Sequence, residues 1–281
     1  MKKSLLLSLL LLTACSRLVA APTPTPPLPP VAATPVPPTA TLPPATATSP
    51  ATTATRAVPP VAPTVLPTPS EPTDFTFTAP DGAQLSVTYY PPIVRPAPAV
   101  LLLHMLGRSK ADWDSFARNL QKQGYAVMAI DLRGHGASAG PVNWTKADDD
   151  TLTAWQTLTA RPEVDANRTA IVGASIGSNL ALIAGATESR IKAVVALSPG
   201  EDYHGLKPGD TIANFGERPV LLVASADDSY SFDTIRALAP KALAAEKKEF
   251  TNAGHGTAMF VEPTLEPFLI EWLNKNVRDL K

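Results

Sequence analysis

Residues 169–186 read TAIVGASIGSNLALIAGA. A short apolar run, 169–172, ends on Gly173-Ala174-Ser175-Ile176-Gly177, and residues 177–186 resume with the Leu and Ala content of a helix. The pattern is that of a strand, a tight turn with a serine at its apex, and a helix. Such a turn strains the backbone at its apex, so the positions two before and two after it must be small, and Gly173 and Gly177 meet that demand. The helix that follows offers free N–H groups and the positive end of its dipole to whatever reacts there. A glycine-rich turn that only packs a helix onto a strand carries the same pattern. Ser175 is therefore a candidate nucleophile, to be weighed with the rest of the chain.

Four more wholly apolar runs, 99–103, 126–130, 193–197 and 220–224, resemble 169–172. Strands apolar on both faces belong at the centre of a parallel sheet covered by helices. Helical stretches fall between and after them, at 112–123, 148–160, 177–186, 232–239 and 263–274. Residues 74–78 and 84–90 read as a hairpin around Asp81-Gly82, and 247–250 as a last short strand. The expected fold class is α/β, a doubly wound and mostly parallel sheet over 74–281, with ligands at the carboxyl ends of its strands.

A serine hydroxyl needs a general base, and the base needs a carboxylate to orient it. Only one histidine, His255, lies beyond the last central strand, in Asn252-Ala253-Gly254-His255-Gly256, where flanking glycines let an imidazole reach inward. The loop after 220–224 supplies Ser225-Ala226-Asp227-Asp228, in which two carboxylates compete. His104 and His135 sit in separate loops without metal-ligand spacing, so no metal is expected. His204 is expected at the surface, and the run Asp148-Asp149-Asp150 at the start of a helix, where negative charge suits the dipole.

Residues 74–281 resemble the α/β-hydrolase family, in particular its small dienelactone-hydrolase-like and esterase-like members. The elbow carries the resemblance, together with Leu101-Leu102-Leu103-His104-Met105-Leu106-Gly107 and Asp131-Leu132-Arg133-Gly134-His135-Gly136-Ala137-Ser138. It implies a triad of Ser175, Asp228 and His255, with spacing from Pro219 favouring Asp228 over Asp227, and an oxyanion hole from the backbone N–H groups of Leu106 and Ile176 rather than Met105. It implies no cofactor. Two departures stand out. Met105 occupies a position that is commonly glycine, which implies an altered path for the oxyanion loop. The nucleophile is serine where dienelactone hydrolases proper use cysteine. Many relatives insert a helical cap where this chain has only residues 198–219, so an open mouth and short or exposed acyl esters are expected. Amide cleavage, or a catalytically silent binding protein of the same fold, are the rival functions.

Before this domain, residues 1–14 read as an export signal with two lysines and an apolar run too short to span a bilayer of roughly 30 Å. Leu12-Thr13-Ala14-Cys15 is similar to the lipobox of bacterial lipoproteins, which implies cleavage before Cys15 and lipidation of its sulfur. From Ser16 to Thr73 the chain is rich in Pro, Thr and Ala and cannot build a core, so it reads as an extended linker. Lys+Arg 24 against Asp+Glu 25 leaves no surplus of charge for nucleic acid. The expected protein is an extracytoplasmic monomer, held on a bacterial membrane through Cys15, whose partner is a small-molecule or surface-displayed ester.

Overall fold

A computed structural model describes residues 68–279. The export signal, Cys15 and the proline-rich stretch as far as residue 67 lie outside the described residues. Eight strands form one sheet: β1 (Thr73–Thr78), β2 (Gln84–Tyr90), β3 (Ala97–Leu103), β4 (Ala126–Ile130), β5 (Val164–Ala174), β6 (Ala193–Leu197), β7 (Val220–Ser225) and β8 (Ala245–Phe250). Their spatial order is β1-β2-β4-β3-β5-β6-β7-β8. β1 and β2 pair antiparallel, as β2 does with β4, and all other pairs are parallel.

Alternation along each central strand builds two cores. Val100 and Leu102 of β3 and Val127 and Ala129 of β4 face a cluster closed by Phe116 and Leu120 of α1 (Asp114–Lys122) and by Leu269 and Trp272 of α5 (Leu265–Leu273). Leu101, Leu103, Met128 and Ile130 face the opposite cluster, under α2 (Ala147–Thr159), α3 (Ile176–Thr187) and α4 (Ser229–Leu238). The wholly apolar runs are thus central strands with a helical layer on each face, as their composition requires. β8 is an edge strand, and the charges of its Glu246, Lys247, Lys248 and Glu249 oppose further pairing there.

Among the boundaries that differ from expectation, three are set by their local surroundings. β5 begins at Val164, well before the apolar run, because Val164 pairs with Ala97 and the register then slips before Ala99 meets Thr169. In the slipped segment Asp165 accepts from the Asn167 N–H and from Arg168, so its residues are polar and hide the strand from a hydropathy reading. α4 starts at Ser229 because Asp228 caps it, accepting from the Ser231 N–H. α1 is preceded by a 3₁₀ turn, Lys110–Trp113. Residues 198–219 hold a short bridge between Tyr203 and Leu206 and two 3₁₀ turns, Pro208–Asp210 and Ile212–Phe215, with Ile212 and Phe215 buried against the body.

The acidic run at 148–150 does more than complement a dipole. Lys146 is the N-cap of α2, and none of the three carboxylates caps it. Asp150 is buried and binds Arg133 through both oxygens at 2.6 and 2.9 Å, while Asp81 of the β1–β2 turn holds the same guanidinium at 2.8 and 3.0 Å. Asp148 is half-buried, and its Oδ1 has no partner among the described residues. Burial, and then the charge of Asp149, push its carboxyl up to about 6. The folded state therefore holds this proton more tightly than the unfolded chain, so stability declines as pH rises from about 4 to 6 and the penalty is complete above that range. Asp148→Asn is expected to raise urea stability at pH 7 by about 1 kcal/mol, less than the full shift because the carboxyl is partly solvated. The gain should vanish in melts at pH 4.

Candidate active site

The elbow joins β5 to α3. Ser175 adopts φ +52° and ψ −122°, a strained conformation for a residue with a side chain, and is 7% exposed. Its N–H donates to Leu197 O at 2.8 Å, and its carbonyl accepts from the Ser178 N–H at 2.8 Å and the Ser178 hydroxyl at 2.5 Å. A Cβ at position 173 would lie 2.0 Å from the Gly177 oxygen, and one at 177 would lie 2.5 Å from Leu103 O and 2.6 Å from His104 O. Both glycines are demanded by contact with backbone, which cannot yield. The second contact also presses the first turn of α3 against the exit of β3, from which the loop carrying Leu106 departs.

The N–H groups of Leu106 and Ile176 have no hydrogen-bond partner among the described residues. Ile176 opens α3, where no earlier helical carbonyl can reach it. His104 is buried, with Nδ1 2.8 Å from Met105 O and Nε2 2.9 Å from the Leu132 N–H. These partners assign the proton to Nδ1, and burial lowers the pKa of the ring and keeps it neutral. His104 therefore ties the exit of β3 to that of β4, as does Asp131, which accepts from the N–H groups of Lys110 at 2.7 Å and Ala137 at 2.9 Å.

At the far side of the elbow, His255 Nδ1 lies 2.6 Å from Asp228 Oδ2. Burial works against the charge on Asp228, but hydrogen bonds from Ser231 and His255 outweigh it and hold the carboxyl below its ordinary range. Asp227 instead accepts from the Gly254 N–H at 3.2 Å and shapes the turn. Geometry thus separates the two neighbouring carboxylates. Gly254 and Gly256 on either side of His255 have φ of +81° and +58°. The side chain of Met105 spans from the β3 loop to this histidine loop, its sulfur 3.4 Å from Thr257 Oγ1. A Cβ on Gly256 would come within 2.8 Å of that sulfur, so the room for Met105 is made by the glycine after the histidine. A cavity of about 260 Å³ adjoins this point, lined by Met105, Arg108, Asp112, Thr257 and Ala258. A larger cavity, about 970 Å³, lies between α1 and α5 and includes none of the candidate residues.

A family model of the alpha/beta hydrolase fold matches residues 98–213, from β3 through the elbow to the segment before β7. The chain has the α/β-hydrolase fold. Its fold is shared with alpha/beta hydrolase GrgF from Penicillium (TM-score 0.65, 17% identity, 74% of this chain and 100% of that one). A Pyrococcus furiosus esterase is also similar (TM-score 0.62, 20% identity, 74% and 91%). So is acetyl xylan esterase 1 of Thermoanaerobacterium (TM-score 0.58, 20% identity, 71% and 83%). Among curated proteins, Esterase FrsA of Yersinia pestis is 33% identical over 133 residues, 45% of this chain and 31% of that protein. The chain spans about a third of the length of such relatives.

In this chain of α/β-hydrolase fold, residues that the sequence did not single out hold the histidine loop in place. Ser198, buried at φ +52° just past β6, accepts from the Gly256 N–H at 2.9 Å. Ser225, buried at the end of β7, accepts from the Ala253 N–H at 2.8 Å. Two strand-end hydroxyls thus grip the loop on both sides of His255. The only sequence signal is a serine directly after an apolar run, which is too common to read. His204 is exposed as expected and stacks on Trp144, ring centroids 5.4 Å apart. Tyr203 beside it turns inward, its hydroxyl 3.4 Å from Ser231 Oγ. Ser198→Ala removes one grip and leaves a buried N–H without a partner, so urea unfolding should show the domain destabilised by about 1–3 kcal/mol.

Proposed function

We propose that this chain is a serine hydrolase of the carboxylesterase type. The 2.6 Å bond between His255 and Asp228, at the same end of the sheet as the strained Ser175 turn, carries the reading. With Nδ1 engaged by Asp228, Nε2 is the nitrogen left to take the Ser175 proton. Ser175 Oγ then attacks the ester carbonyl, and the carbonyl π electrons move to its oxygen, which the N–H groups of Leu106 and Ile176 stabilise. Collapse of this intermediate expels the alcohol with the proton from His255. Water repeats the cycle on the acyl-enzyme, and no cofactor takes part.

The partial match to an esterase and the fold shared with other esterases support ester over amide substrates. The short packed segment 198–219 supports short or exposed acyl groups. We place the protein outside the cytoplasm, tethered by lipidated Cys15 through the proline-rich linker. Acyl chains contribute roughly 0.8 kcal/mol per buried CH₂, and two or more hold a protein stably.

Ser175→Ala is expected to lower turnover of short-chain nitrophenyl esters on the order of 10³-fold or more. A fluorophosphonate probe should label the native protein at Ser175, as read by peptide mass spectrometry. Unimpaired turnover in the variant would falsify the assignment. For the tether, Cys15→Ser should move the protein from the membrane pellet to the soluble fraction after ultracentrifugation and abolish incorporation of a fatty-acid analogue, while specific activity stays unchanged.

A further inference from the structure

We propose that Tyr203 is a hydrogen-bond donor to the departing alcohol, an element of the reaction centre beyond the serine, histidine, aspartate and oxyanion donors. The inference rests on the esterase reading above and deepens it. Sheet order supplies the first argument. The oxyanion loop follows β3, on one side of β5, whereas the loop carrying Tyr203 follows β6, on the other side with Asp228 and His255. A carbonyl oxygen held at Leu106 and Ile176 leaves the alcohol portion of the ester directed to the side where Tyr203 stands.

The loop is built to hold that phenol. Asn179 lies in α3 one turn beyond Ser175, fully buried. Its amide nitrogen donates to Gly200 O at 2.9 Å and Leu206 O at 2.8 Å, and its oxygen accepts from the Gly200 N–H at 3.0 Å. One side chain of the elbow helix therefore clamps both ends of the loop. Between the clamps, Tyr203 and Leu206 exchange backbone hydrogen bonds at 3.0 and 3.3 Å across His204 and Gly205, whose φ values are +55° and +89°. That is a two-residue hairpin turn with both central residues left-handed, and a histidine in the first of these positions is strained. The Tyr203 ring lies so close to Gly200 that a Cβ there would fall 2.6 Å from it, and it meets Tyr230 edge-on at 5.8 Å.

Tyr203 consequently links the two halves of the site. Its hydroxyl is 3.4 Å from Ser231 Oγ, the residue that donates its N–H to the helix-capping Asp228, and stands near the Ser175 side chain with no hydrogen bond formed between them. Burial raises the phenol above its ordinary value, so it stays protonated and able to donate. In the step concerned, the bond between the carbonyl carbon and the alcohol oxygen breaks and its electron pair passes to that oxygen. The proton comes from His255. Tyr203 contributes a hydrogen bond to the growing negative charge and keeps its own proton.

Alcohols that leave poorly need that bond, and nitrophenolate does not. The experiment compares kcat/KM, which reports steps up to alcohol departure, for 4-nitrophenyl, phenyl and ethyl esters of one acyl group in the wild type and Tyr203→Phe. The expected loss is less than about twofold for the nitrophenyl ester and about tenfold for the ethyl ester, the worth of one hydrogen bond to developing charge. Phenylalanine keeps the ring contacts with Gly200 and Tyr230, and an undiminished rate of fluorophosphonate labelling at Ser175 establishes that the variant site is assembled. An equal loss across the series, a labelling defect that accompanies it, or no loss at all overturns the role of Tyr203 while leaving the esterase reading intact. Absence of both turnover and labelling in the wild type removes that reading, and this inference with it.

Discussion

The first turn of α3 approaches the last residues of β3 so closely that Gly177 has no room for a Cβ before the carbonyls of Leu103 and His104. This contact between two backbones sets the rest of the site. It stations Ser175 at the end of β5 and sets the start of α3 against the exit of β3, where the Leu106 loop begins. The apex is left in a conformation that an isolated peptide would abandon. Such a conformation persists only where surrounding structure over-determines it. Here the sheet supplies that restraint, with β5 paired to β3 on one side and β6 on the other.

Around that contact, buried polar groups connect loops that the sheet places side by side. His104 and Asp131 join the exits of β3 and β4. Ser198 and Ser225 join the exits of β6 and β7 to the loop after β8. Asn179 joins the elbow helix to the loop after β6. Each satisfies a backbone group that would otherwise be buried without a partner, which is expensive in a core this apolar. The same bonds that remove this penalty keep His255 and Tyr203 in fixed relation to Ser175.

Much of this was legible beforehand because its causes are local. The apolar runs, their helical intervals and the Asp81-Gly82 turn depend on neighbouring residues, and the strands formed from them sit where periodicity put them. The elbow was legible because steric demand at one residue constrains those two positions away. The polar start of β5 was not, since Val164 joins the sheet by pairing with Ala97 in a distant strand. The ion pair of Asp150 with Arg133 was also hidden, as was the unpartnered oxygen of Asp148, because burial of a charge depends on what folds over it.

By itself, the sequence determined the α/β architecture, Ser175 at the apex of a strand-to-helix turn, and His255 and two adjacent aspartates as the groups able to serve it. All of these follow from residue type and short-range spacing. Only the tertiary structure decided that His255 meets Asp228 while Asp227 holds the Gly254 N–H, that Ser198 and Ser225 grip the histidine loop, and that Tyr203 rather than His204 turns inward. Those choices are made by hydrogen bonds between residues dozens of positions apart, whose distances exist only once the sheet has gathered its loops at one end.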